Sequence, residues 1–132
     1  MPSQSLPDFE ALWDYSHPDQ TEAKFREILL SFPEEDIGFL ELLTQIARAQ
    51  GLQGKFNHAH QTLDQVEQRL GEFPSRSKVR YLLERGRVFN SSSAPERARP
   101  LFRKAYENLL QDAWLVQNEP ERLVRLKELG EA

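Results

Sequence analysis

Leu43-x-x-Ile46-Ala47-x-x-Gln50 leads, twelve residues after Ala47, to Ala59-x-x-x-Leu63-x-x-Val66. The same template recurs downstream. Leu82-x-x-Arg85-Gly86-x-x-Phe89 leads, twelve residues after Gly86, to Ala98-x-x-x-Phe102-x-x-Ala105. Small residues at these fixed points let two antiparallel helices cross closely, and the larger residues fill the space around the crossing. A single helical hairpin cannot bury its apolar face alone, so it stacks on neighbours. The expected fold class is therefore all-α: a stacked array of helical hairpins.

The flanking sequence carries the same signal. Ser5-Leu6-Pro7-Asp8, Ser16-His17-Pro18-Asp19, Ser31-Phe32-Pro33-Glu34, Ser93-Ala94-Pro95-Glu96 and Asn118-Glu119-Pro120-Glu121 share one pattern. Each offers a capping side chain, a proline in the first turn and a carboxylate three residues after the cap. The cap can accept from an unpaired N–H, proline loses nothing there, and the acid meets the positive end of the helix dipole. Gly51 to Gly54, and Gly71 to Ser75 with Pro74, mark further breaks. These signals predict seven helices over 6–15, 18–32, 34–51, 55–70, 76–90, 94–116 and 120–129. Paired, they make hairpins 6–32, 34–70 and 76–116 of one domain spanning 1–132, with 120–129 as a capping helix over the open end.

Periodicity agrees. Phe56, Ala59, Leu63, Val66 and Leu70 recur at spacings of three and four, one apolar stripe. The third helix is apolar almost all round, as expected of a helix in the middle of a stack. Pro100 is a local conflict, because it removes a backbone bond past the first turn. A kink near 96–100, or a late start to regular helix, is expected there.

The chain's 132 residues suit one domain. Nineteen Leu outnumber the eleven Val, Ile and Thr combined, which favours helix over strand. There is no cysteine, so disulfides and thiolate chemistry are excluded and a reducing, cytoplasmic setting fits. No apolar run approaches the ~20 residues of a membrane span, and no secretory signal is expected. Net charge is −4 but uneven. Residues 1–66 carry 11 acids and 4 bases, net −7, whereas residues 67–132 carry 10 acids and 13 bases, net +3. The stretch 76–104 holds nine bases against Glu84 and Glu96. Either this is a solvated surface or the third hairpin presents an anion-seeking face.

The two templates resemble the tetratricopeptide repeat. The first match runs from Leu40 to Pro74, with Gly54 and Phe56 at its turn, and the second from Val79 to Glu107. A first hairpin around Ala11 and Ala23 is degenerate. Ala23 to Ala59 is 36 residues and Ala59 to Ala98 is 39, against about 34 for this repeat. Arg85 stands where Ile46 stands in the other copy and must be paired or reach solvent. Ser93 and Ala94 replace the turn glycine, and nothing after Trp114 follows the repeat. The wording from Tyr81 to Arg87 is similar to that of bacterial proteins built only of such repeats.

The resemblance implies an α-solenoid whose first helix of each pair lines a concave, peptide-holding groove. Carried over, the groove residues are Glu41, Thr44, Arg48 and Leu52 in the middle hairpin, and Arg80, Leu83, Arg87 and Asn90 in the third. Arginines presented together can grip a carboxylate through paired hydrogen bonds. The functional reading is a groove for an extended or helical peptide of acidic character. The competing reading pairs Arg80 and Arg87 with Glu84 and Glu41 on a solvated face.

Other candidates carry no chemistry. His58 and His60 lie two apart and point in different directions, and His17 lies in a turn, so no metal is expected. Glu34-Glu35-Asp36 is read as a first helical turn, and Ser91-Ser92-Ser93 as a turn and cap. No nucleophile, base or phosphate loop is visible, so neither an enzyme nor a cofactor is expected. Among the aromatic residues of the first hairpin, Phe9, Trp13, Phe25 and Phe32 are assigned to core, and Tyr15 is the expected exception. Trp114 and Leu115 either pack under the last helix or form a patch for another subunit. The leading expectation is a non-catalytic protein–protein interaction module. The alternative is a self-assembling scaffold, a homo-oligomer whose acidic N-terminal end meets the basic third hairpin of another copy. Nucleic-acid binding is disfavoured by the acidic whole and by the lack of stacking aromatics.

Overall fold

The computed structural model describes residues 9–71, 75–111 and 120–131. They form a 3-10 turn, Phe9–Leu12, and six α-helices: α1 (Pro18–Leu29), α2 (Ile37–Leu52), α3 (Phe56–Arg69), α4 (Arg76–Ser91), α5 (Pro95–Leu110) and α6 (Pro120–Glu131). No strand occurs among the described residues. Each helix from α1 to α5 packs on its successor, and α2 also packs on α4.

The two templates build the centre. Ala47, Ala59 and Leu63 from α2–α3 and Leu82, Ala98 and Phe102 from α4–α5 share one buried core. A side-chain carbon at Gly86 would lie 2.7 Å from the Phe102 ring, so glycine is what lets α4 and α5 approach. A second cluster joins Phe9, Phe25 and Phe32 to Leu42 and Ile46. Helix α2 therefore feeds one core with Leu43 and Ala47 and the other with Leu42 and Ile46, which is why it is apolar nearly all round. Helix α6 closes on α5: Leu129 packs against the main core, and Arg103 donates to the Gly130 carbonyl at 2.9 Å.

Both hairpins turn in the same way. The N–H of Lys55 reaches the Gln50 carbonyl at 2.9 Å, and that of Ala94 reaches the Phe89 carbonyl at 2.8 Å. Gly54 and Ser93 sit at the intervening position with φ of 76° and 67°. This is the Schellman arrangement, whose left-handed residue is usually glycine.

Several expected elements differ. The helix over 6–15 is only the turn Phe9–Leu12 in its described part. Asp14 diverts the chain by accepting from the Ser16 N–H and pairing with His17, both at 3.0 Å, and such local bonds compete with helix. Its pKa is lowered, chiefly by the His17 bond. Ala11 and Ala23 are exposed, so the first hairpin lacks the close small-residue crossing. The serine–proline pattern overstated the caps. A proline in the first turn puts the residue just before it at the cap, so His17 and Ala94 occupy that place and neither makes a side-chain cap bond. Ser31 starts no helix. Residues 34–36 form a turn, and Asp36 caps α2 by accepting from the Gly38 N–H at 2.8 Å. Ser75 is a true cap, accepting from the Lys78 N–H at 3.1 Å. Helix α5 runs through Pro100 from Pro95 without a late start. The Ser5 and Asn118 caps, Trp114 and Leu115 lie outside the described residues.

Candidate binding groove

The expected groove residues come together around two adjoining hollows. The larger, about 360 Å³, is lined by Glu10, Tyr15, Arg48, Arg80, Leu83, Arg87, Glu121, Arg125 and Leu129. The smaller, about 260 Å³, is lined by Leu52, Val88 and Asn90, with Arg48 and Arg87 shared between the two. Glu41 and Thr44 line neither hollow. Thr44 is fully buried, its hydroxyl donating to the Glu41 carbonyl at 2.6 Å, because α4 packs against α2.

Helix period explains the arrangement. Arg80, Leu83 and Arg87 stand three and four residues apart, so one face of α4 carries them. Leu83 is buried in the floor, while the flanking Arg80 and Arg87 side chains stay partly exposed, Arg87 the more so. Arg48 approaches from α2.

Each arginine has a carboxylate partner; the competing reading named Glu84 and Glu41 for Arg80 and Arg87, but these carboxylates are buried or nearly so rather than solvated. Arg87 donates to both Glu84 oxygens at 3.2 and 3.0 Å, and Glu84 is wholly buried. Arg80 stands 3.9 Å from Glu41, and Arg48 stands 3.7 Å from Glu10. Those last two separations exceed hydrogen-bond length. They neutralise charge without using the guanidinium donors.

The N-terminal wall went unanticipated apart from Tyr15. Trp13 and Tyr15 stack nearly parallel at 4.7 Å, and the Arg48 guanidinium lies about equally far from both rings, at 5.3 and 5.0 Å. Such cation–π contacts fix a guanidinium beside aromatic faces. Trp13 donates to Gln45 at 2.8 Å, and the half-exposed Tyr15 donates to Glu10 at 3.0 Å. Burial raises the Tyr15 pKa, aided by that bond and opposed by Arg48 and Arg87. Sequence spacing marks Tyr15 as out of phase with the core, but no local pattern ties it to Arg48, 33 residues away.

A polar seam lies between α3 and α4. Arg85 donates to Asp64 at 2.6 Å, to the Tyr81 hydroxyl at 3.2 Å and to the His60 carbonyl at 3.1 Å. Tyr81 in turn donates to Glu67. The charge that replaces Ile46 of the second hairpin is thus paired. Burial works against its charge, but the bonds to Asp64 and Tyr81 outweigh that and raise its pKa. Burial and the Glu67 bond raise the Tyr81 pKa.

No group of His, Asp and Glu among the described residues is arranged to hold a metal ion, and no described helix is long and apolar enough to cross a membrane. No protein-family model matches the chain, and no curated protein or solved structure does.

Proposed function

We propose that this chain is a non-catalytic interaction module, a tetratricopeptide-like superhelix that holds a protein or peptide segment in its concave groove. One observation supports this above others. Along the chain, alternate elements contribute to the larger hollow: the Phe9–Leu12 turn through Glu10, α2 through Arg48, α4 through Arg80, Leu83 and Arg87, and α6 through Glu121, Arg125 and Leu129. An array of stacked hairpins produces that alternation when the first helix of each pair faces inward. Arg48, Leu52, Arg80, Leu83, Arg87 and Asn90 are the proposed contact residues. The chemistry favoured is a segment bearing carboxylates beside apolar side chains. The donors of Arg48 and Arg80 are not used by Glu10 and Glu41, while Leu83 and Leu129 offer apolar floor. A library of short peptides panned against the wild type and against Arg80→Glu with Arg87→Glu tests the reading. Acidic sequences should be enriched by the wild type and lost by at least about tenfold in the double variant, with the helical circular dichroism signal unchanged. Equal enrichment by both would reject the groove.

A second reading has a specific observation in its favour. Asp19, Glu27, Glu34 and Glu35 are exposed towards the N-terminal end, and Arg99, Arg103 and Lys104 are exposed on α5. Head-to-tail contact between copies would join them. Such association weakens with salt, so sedimentation velocity from low to high ionic strength distinguishes it.

A further inference from the structure

Arg85 and His60 form a contact with only one workable protonation state. The same Arg85 nitrogen that donates to the His60 carbonyl also stands 3.0 Å from the His60 Nδ1. A guanidinium has donors only and keeps its proton at any ordinary pH. His60 Nδ1 must therefore accept, which places the imidazole proton on Nε2 and leaves the ring neutral. We infer that His60 is a proton-operated latch between the second and third hairpins: taking up a proton at Nδ1 sets N–H against N–H and cation against cation, and expels Arg85 from the α3–α4 seam.

The surroundings leave the extra proton poorly placed. From α4, Arg85 faces the ring, and Phe89 packs on it at 4.6 Å between centroids. From α5, Arg97 adds a second positive charge, its guanidinium 4.5 Å from the Phe89 ring. On α3 itself, Asp64 is the one compensating acid, and it is 58% exposed and already holds Arg85 at 2.6 Å. Burial, then Arg85 and Arg97, lower the His60 pKa against the opposing pull of Asp64. A histidine whose pKa is lower folded than unfolded stabilises the fold fully above its unfolded pKa of ~6.5. That stability is lost as pH falls from there through the folded value. The seam should loosen in mildly acidic solution and re-form at neutral pH. Tyr81 and Glu67 remain bonded to each other, and α2 still packs on α4, so the hairpins shift at their joint rather than separate.

The latch stands whether or not the groove binds a peptide, and its test needs no ligand. Long-range proton–nitrogen NMR spectra of the whole chain read both the tautomer and the titration of His60. An Nε2-protonated ring at pH 7.5, titrating below about 6.5, supports the latch. Nδ1 protonation of the neutral ring, or titration above that value, overturns it. Denaturant midpoints between pH 7.5 and 5 compare the wild type with His60→Asn, whose side-chain oxygen can accept from Arg85 at every pH. The wild-type midpoint should fall more steeply on acidification than that of the variant, while parallel curves would overturn the inference. Should the variant fail to fold, hydrogen exchange in the wild type replaces it. Amides of α3 and α4 should lose more protection at pH 5 than those of α2, after correction for intrinsic rates. Uniform change would speak against a latch.

Discussion

The second hairpin, α2–α3, and the third, α4–α5, solve one packing problem with different residues. Thirty-nine positions separate their equivalents. At the crossing, Ala47 and Leu63 in one correspond to Gly86 and Phe102 in the other, and all four are buried. The larger ring is accommodated by deleting a methyl group across from it. At the turn, Gly54 corresponds to Ser93, yet both adopt left-handed backbone and the same pair of turn bonds. Beside the crossing, Ile46 lies in the N-terminal apolar cluster while Arg85 joins a polar seam. Total volume and turn geometry are thus conserved between the hairpins where side-chain identity is not, as close packing requires.

The crossing gives the sharpest way to break that equivalence. Gly86→Ala should destabilise the protein by about 1–3 kcal/mol through overpacking against Phe102, despite alanine's better helix propensity. Adding Phe102→Leu converts the site to the Ala–Leu pair of the second hairpin and should recover part of the loss. A double-mutant cycle by chemical denaturation should show coupling of about 1 kcal/mol or more. Additive effects would mean the two positions do not compensate one another.

The turn should respond less. Ser93→Gly relieves a left-handed side chain worth roughly 1–2 kcal/mol, offset by the greater freedom of unfolded glycine. A net gain of about 0.5–1 kcal/mol in thermal or denaturant unfolding is expected. Gly54→Ser should lose a similar amount, and a destabilising Ser93→Gly would show that the serine hydroxyl matters more than its backbone.

Arg85→Ile, which writes the second hairpin's residue into the third, should have the smallest effect, within about 1 kcal/mol. Asp64 is largely exposed and can rehydrate, so no buried charge is stranded. The same variant should free His60 from its donor, so its titration moves upward by NMR. A loss above about 3 kcal/mol would show instead that the seam is a main support of the fold.

The helical class and the two central hairpins could be read directly from spacing, whereas the groove positions rested on the resemblance alone. Helices predicted over 55–70 and 76–90 emerge as Phe56–Arg69 and Arg76–Ser91. Thr44 misled because it shares a helix phase with Arg48 while a neighbouring helix covers it. The first hairpin misled because Asp14 makes its turn through its own side chain, an option that apolar periodicity does not register.

What the sequence determined unaided was local and periodic: where helices run, which stripe of each is apolar, and where small residues permit close approach. These follow from a 3.6-residue repeat and from chain stereochemistry. What only the tertiary structure decided was which polar groups meet. Arg48 beside Trp13 and Tyr15, Arg80 opposite Glu41, and Arg85 clamped on His60 and Asp64 all join residues far apart in the chain. Hydrogen bonds and ion pairs depend on ångström-scale distance and direction, and the angle at which helices pack sets those after the apolar pattern has already been satisfied.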